Sequence, residues 1–341
     1  MSEHLSFFTV SAGNYLARTR VLSDSLREHH PKSKLFVVIM ERHLDFGSLL
    51  RECSCEAFLL PDDVWGYSFE SFAIRHNVIE NSTALKADAF LRLWECGATD
   101  RLIYLDPDIW VAGSMDGLVA ALDKEPILAT PHHLHDESTD DGVVDNMLRS
   151  LMCGSLNLGF LGLRRCDETV NFLHWWRKKN RSFCKVDFNR GLFVDQKWMD
   201  LAMHLFNIGI LRDPGYNVAN WNTSQRPIRR AHDGWQTNGV PLKFFHFSGH
   251  ASGKDMPTLT KYSKQHCDDV LRLRAEYTEQ VLAAGEDEAR KLRCSYDFFD
   301  SGEFVSDRTR KFLGSRPDIL KLYPEPYSAS NADFLAHKTT H

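Results

Sequence analysis

No stretch of this 341-residue chain is apolar for long enough to cross a bilayer. The longest such run, Leu35 to Met40, falls far short of the roughly 20 residues that a membrane helix needs. The opening residues Met1-Ser2-Glu3-His4 lack the basic n-region and apolar h-region of a signal peptide. The eight cysteines, at 53, 55, 96, 153, 166, 184, 267 and 294, form no C-x-x-C pair, which excludes a zinc ribbon and a redox dithiol. They read as reduced thiols of a cytoplasmic protein, and the composition is compatible with peripheral contact at the inner face of a membrane. Basic charge is scarce too: 41 Lys and Arg against 46 Asp and Glu give a net charge of −5, so nucleic acid is not an expected partner. G-x-G-x-x-G is missing, as are internal repeats and low-complexity linkers.

What is present is ordinary for a soluble globular chain, 43% apolar and 26% charged. An apolar strand at 5–10, a helix at 15–30 striped by Leu16, Val21, Leu22 and Leu26, and a strand at 35–40 make a βαβ unit. Right-handed crossover makes its strands parallel, which puts the loop Ser11-Ala12-Gly13-Asn14 at the ligand-binding edge of an α/β sheet. Further strands are expected near 58–60, 102–105, 126–130 and 156–163. Helices are expected from Ser82 to Trp94 and at 140–151, 167–180, 195–205 and 258–292. The last 45 or so residues read as appended helices, interrupted by Pro317, Pro324 and Pro326 and ending in a fraying tail.

The stretch Tyr104-Leu105-Asp106-Pro107-Asp108-Ile109-Trp110-Val111 organises the rest. A buried strand that ends in two carboxylates at i and i+2 can present both to a hard divalent cation, with room left for phosphate oxygens. Pro107 stiffens the turn between them. The same residues also suit an ordinary Asp-Pro-Asp turn. Other positions carry a similar pair of readings. Tyr15 stacks on a base or begins a helix; Lys86 meets a phosphate or water. Asn157, the one polar side chain in an apolar strand, bonds backbone or faces a ligand. Asp195 caps a helix or belongs to the site, and His246 is a third metal ligand or a strand histidine. The closely set His132, His133 and His135 fit neither H-E-x-x-H nor a finger, and read as a polar loop.

Taken in order, these residues resemble the GT-A glycosyltransferases, in particular the retaining family-8-like group, over roughly residues 5–255. The loop Thr9-Val10-Ser11-Ala12-Gly13-Asn14-Tyr15 matches the part that receives uracil and ribose there, at Val10, Ala12, Asn14 and Tyr15. Tyr104 to Val111 matches the Y-L-D-x-D-x-x-V metal strand. Asn157-Leu158-Gly159 looks like the N-x-G strand whose Asn contacts the donor sugar, and Asp195-Gln196 like the D-Q pair beside the anomeric carbon. Phe245-His246-Phe247-Ser248-Gly249 matches H-F-x-G, which supplies the third metal ligand and, at Gly249, a backbone contact to diphosphate. Two departures stand out. The x-x-K-P-W that usually follows is replaced, with Lys254 two residues late and Asp255-Met256-Pro257 after it. The basic residue of the donor helix is matched only by type, at Lys86.

The resemblance implies a GT-A type, Rossmann-like mixed sheet flanked by helices over 1–255, with a C-terminal helical extension at 256–341. It implies a hexosyltransferase that uses a UDP-sugar and Mn2+ or Mg2+ held by Asp106, Asp108 and His246. Donor binding would fall to Val10, Ala12, Asn14, Tyr15, Lys86, Asp106, Asn157 and Gly249, and the catalytic pair would be Asp195 and Gln196. The acceptor would be a glycan or lipid-linked glycan, in keeping with the polysaccharide and lipopolysaccharide gene contexts of similar bacterial proteins. Two other classes compete: a metal-dependent phosphohydrolase, which usually carries a richer Asp/His set for two ions, and a non-catalytic nucleotide-sugar or glycan-binding protein.

Overall fold

The computed structural model describes residues 5–44, 47–51, 53–263 and 266–332. The stretch Met1 to His4 and the end of the tail read as fraying lie outside these residues. Strands β1 (Ser6–Ser11), β2 (Lys34–Ile39) and β3 (Ala57–Leu59) run parallel, and β4 (Arg101–Leu105) joins β1 on its other side, also parallel. β5 (Ile109–Val111) leaves this sheet after the Asp-Pro-Asp turn. β6 (Ile127–Pro131) and β4 flank β7 (Leu156–Arg164), which runs antiparallel to both. β8 (Ile208–Ile210) pairs with β6 at the far edge. The seven-stranded order is β8-β6-β7-β4-β1-β2-β3. A second, small sheet has β10 (Phe244–His246) between β9 (Val218–Ala219) and β5.

Period-2 alternation along the strands separates two cores. Phe8, Val10, Phe36, Val38, Leu102 and Tyr104 face one layer, shared with helices α2 (Lys86–Glu95) and α3 (Asp167–Phe183) through Phe90, Trp94, Phe172 and Trp176. Phe7, Leu35, Val37, Ile39, Ile103 and Leu105 face the other, with Leu16, Leu22 and Leu26 of α1 (Leu16–His29). Burial of each such large side chain contributes about 1.5–3 kcal/mol. The result is a mixed α/β sheet with helices on both faces.

The helices differ from the sequence reading in their limits. The stretch opened at Ser82 is two helices, Val78–Ala84 and α2, which meet at Leu85. The stretch at 140–151 contains a π-helical segment, Val143–Met147, and runs on to Cys153. The region 258–292 is three helices, Met256–Tyr262, α5 (Cys267–Ala283) and α6 (Glu286–Ala289), where α4 denotes Met199–Leu205 upstream. α4 starts four residues later than expected because Asp195 does not cap it; Trp198 stands at the N-cap. Val270, Leu273, Tyr277 and Val281 line one face of α5 at i, i+3, i+4 spacing and form a third core with Ala17, Val21, Phe245 and Phe247.

Candidate functional site

Backbone pairing brings three potential ligands together. The Asp106 N–H donates to Gly159 O at 2.9 Å, which anchors the end of β4 to β7. β5 then pairs antiparallel with β10, with Ile109 opposite His246, and the Phe247 N–H donates to Asp108 O at 2.9 Å. His246 Nε2 lies 3.2 Å from Asp108 Oδ1 and 3.5 Å from Asp106 Oδ2. Ligand atoms of all three side chains fall within 4.8 Å of one another. Gly159 makes room for the ring: a Cβ there would lie 2.5 Å from His246 Cε1 and 2.8 Å from Asn157 Oδ1. Burial works against charge on both sides of this contact, yet mutual attraction wins. It holds Asp108 below the usual carboxylate range and His246 above the usual imidazole value.

Beside them lies a buried ion pair. Lys86, the first residue of α2, is 3% exposed. Its Nζ donates to Leu158 O at 2.9 Å and sits 3.1 Å from Asp195 Oδ2 and 3.8 Å from Asp106 Oδ1. It also lies over the Tyr104 ring, 4.3 Å from the centroid, while the Tyr104 hydroxyl donates to Asp106 Oδ1 at 2.6 Å. Burial pushes Asp195 up to about 6 against the attraction of Lys86. Asp195 Oδ2 has no aligned hydrogen bond among the described residues, so the Lys86 contact is one of charge. Val194, just before it, has φ 41. A β-branched residue in the left-handed region is strained, and such strain concentrates at functional sites.

Asn157 and Gln196 are both held by the protein. Asn157 Oδ1 accepts from the Gly159 N–H at 3.0 Å and from Asn217 Nδ2 at 2.9 Å, and its Nδ2 approaches His132 Nε2 at 3.2 Å. Gln196 Oε1 accepts from the Leu158 N–H at 3.0 Å, and its Nε2 donates to Cys153 O at 3.1 Å. Sequence reasoning gave this surrounding shell no role in the site. His132 lies in the loop after β6, as read from the sequence, but it is buried there, with its pKa lowered to about 3 by desolvation. Trp221 stands edge-on to both His132 and His246, at 5.7 and 5.4 Å between ring centroids. Asn217 reaches Asn157 from a left-handed backbone, φ 55. The clustered Asn217, Asn220 and Asn222 around Trp221 are the local signal for it.

The first loop closes the arrangement. Val10 and Ala12 are buried, Asn14 and Tyr15 half-buried. The Gly13 N–H donates to Glu41 Oε1 at 3.3 Å. The Arg18 guanidinium lies 4.9 Å from the Tyr15 ring centroid, and its Nη2 meets Glu286 Oε1 at 2.5 Å. Burial, then the charge of Asp108, raises the Tyr15 hydroxyl pKa. Gly249 takes φ 83 at the turn after His246, and its carbonyl accepts from the Lys254 N–H at 3.1 Å; the Lys254 side chain is exposed. The first loop, α2, the Asp106–Asp108 turn, β7, the Asp195-Gln196 turn and the end of β10 thus gather around one site.

No family model matches the chain. Among curated proteins it is similar to YfnF of Bacillus subtilis (strain 168), an uncharacterized protein, at 27% identity over 158 residues, 44% of this chain and 50% of that protein. It is also similar to YfnD of the same organism, likewise uncharacterized, at 28% identity over 99 residues, 28% of this chain and 32% of that protein. The chain therefore spans half the length of the first relative and less of the second. Similar solved structures include the galactosyltransferase LgtC in complex with donor and acceptor sugar analogues, at TM-score 0.46, 17% identity, and 82% and 95% coverage of this chain and that one. Mouse xyloside xylosyltransferase 1 follows at TM-score 0.40 and 14% identity, covering 72% of this chain and 97% of that one.

Proposed function

We propose that this protein is a glycosyltransferase that moves a hexose-type sugar from a UDP-sugar to a glycan or lipid-linked glycan, with retention at the anomeric carbon. The observation that carries this reading is the convergence of Asp106, Asp108 and His246 beside the buried Lys86–Asp195 pair. Two carboxylates and an imidazole form a donor set suited to Mn2+, and the carboxylates also suit Mg2+. Their facing atoms already converge, so the residues fit a divalent cation. When bound, the cation supplies Lewis-acid neutralisation of the departing diphosphate.

The chain's own residues do the rest. Tyr15 and Asn14, on the loop that starts at Val10 and Ala12, hold the base and ribose. Asp195, ionised against Lys86, orients sugar hydroxyls. An inverting enzyme would need a free general base at the acceptor hydroxyl, whereas the Asp195 carboxylate is already engaged by Lys86. Gln196 is a poor nucleophile, which fits front-face attack beside it. Asn157 fixes the strand under the sugar, and the Gly249 turn offers backbone to the diphosphate.

The test is a screen of nucleotide sugars with Mn2+, scored by slow donor hydrolysis, which needs no acceptor. UDP-sugars should be consumed, EDTA should stop the reaction, and Mn2+ should restore it. Full turnover in chelator would overturn the metal assignment. With an acceptor in hand, an α-linked donor should give an α-linked product in the proton NMR spectrum, and a β-linked product would make Asp195 the favoured base.

A further inference from the structure

We propose that α5 and α6 are a clamp that positions both donor loops, an inference that rests on the donor-site reading above. Two loops bracket the carboxylates: the one at 12–18, which carries Tyr15 and runs into the first turn of α1, and the one at 246–255, which leaves β10 at His246. The same two C-terminal helices grip both.

On the 246–255 side, Tyr277 of α5 is fully buried and stacks face to face on Phe247, at 3.8 Å between centroids and 2° between planes. One residue further along α5, Thr278 Oγ1 lies 2.9 Å from His250 Nε2. One turn earlier, Arg274 binds the buried Asp255 through two nitrogens, at 2.6 and 3.2 Å. Positions i, i+3 and i+4 share one helix face, so a single face of α5 touches the loop near its start, in its middle and at its end. Phe247 is the neighbour of His246, and the Phe247 N–H is bonded to Asp108 O. Its stack therefore bears on the backbone at two of the three convergent residues.

On the other side, Glu286 of α6 is 1% exposed and takes both Arg18 Nη2 and Arg290 Nε on one oxygen, each at 2.5 Å. Arg18 in turn underlies the Tyr15 ring. Arg290 also reaches Ala251 O at 3.4 Å, which ties α6 to the second loop. A buried, paired guanidinium beneath an aromatic ring fixes that ring more firmly than a mobile surface residue could. Glu286 and Tyr277 are thus positioning residues: the first acts on Tyr15 through Arg18, the second on His246 through Phe247.

The test uses the whole 341-residue chain. Hydrogen exchange is measured without ligand, Mn2+ binding by electron paramagnetic resonance, and UDP binding by calorimetry. In Glu286→Gln, peptides covering 12–18 should exchange about tenfold faster while β4 and β7 keep their protection. Mn2+ affinity should stay within about twofold, and UDP affinity should fall about tenfold. In Tyr277→Leu, protection should be lost over 246–255 and Mn2+ affinity should fall about tenfold. Should Glu286→Gln fail to fold because Arg18 is left buried without a partner, the double change Arg18→Met with Glu286→Met keeps the volume and removes the pair; the same loss over 12–18 is expected. Exchange that accelerates equally across β4 and β7, or that leaves both loops unchanged, would overturn the clamp. If wild type binds no uridine nucleotide, the donor reading fails while the exchange data still decide the clamp.

Discussion

Lys86 is where the charges of the site are balanced. Its ammonium faces the buried Asp195 at 3.1 Å and the partly exposed Asp106 at 3.8 Å, so the Lys86–Asp195 pair is held where water screens it little. Desolvation outweighs Lys86 at Asp195, whose pKa is pushed up to about 6. An acid with a raised native pKa binds more protons folded than unfolded. Its contribution to stability therefore falls as pH rises from about 4, the unfolded value, to about 6, and is level beyond. Asp195→Asn removes this dependence. In the presence of EDTA, the melting temperature of the variant relative to wild type should rise by a few degrees between pH 4.5 and pH 7, while donor turnover is lost. A constant difference across that range would mean that Asp195 is not the titrating group. At this scale sequence reading found the charged residues but not their pairing. Asp106 and Asp108 announce themselves by spacing at a strand end, whereas the approach of Lys86 to Asp195 joins segments that no local pattern connects. Arg18 is the clearest omission, since its partner Glu286 is 268 positions away.

The elements explain why His246 can reach the carboxylates. β7 lies against β4, and at Gly159 it offers a bare backbone to the imidazole. A Cβ would stand 2.5 and 2.6 Å from two ring atoms of His246 and 2.8 Å from Asn157 Oδ1, closer than atoms can pack. Gly159→Ala should therefore turn the ring away and weaken Mn2+ binding about tenfold or more, with far-UV circular dichroism unchanged. Unaltered Mn2+ affinity would show that the ring has another place to go. Short continuous apolar runs made β1, β2, β4 and β7 legible, because alternate residues feed two different cores and both faces of these strands are buried. The start of α4 was not legible. Asp195 looks like an N-cap by composition, but the chain turns through the strained Val194 and begins its helix only at Met199. Tertiary demands at the site override the local preference there.

Over the whole molecule, the C-terminal residues share a core with the sheet as well as packing among themselves. Tyr296, Phe299, Val305, Leu313 and Tyr327 belong to the same cluster as Phe8, Phe90 and Tyr104. Arg310 is the pin that joins this region to the rest. It is 5% exposed, and its guanidinium donates to Ala73 O at 3.2 Å, to His76 O, to Tyr296 O at 3.0 Å and to Asp297 Oδ1 at 2.7 Å. None of this is visible in the sequence, where the prolines and charged helices after residue 300 look like an appendage and the His76 contact spans 234 positions. Removing the guanidinium strands buried carbonyls and a carboxylate, at about 1–3 kcal/mol for each group left unmade. If 295–332 folds as one unit with the sheet, Arg310→Ala should lower the urea midpoint by an amount that corresponds to at least about 2 kcal/mol. Tryptophan fluorescence and far-UV circular dichroism should then still trace one coincident transition. Two separated transitions, the first reporting loss of the 295–332 region alone, would mean that this region is an independent appendage and that the shared core contributes little to cooperativity.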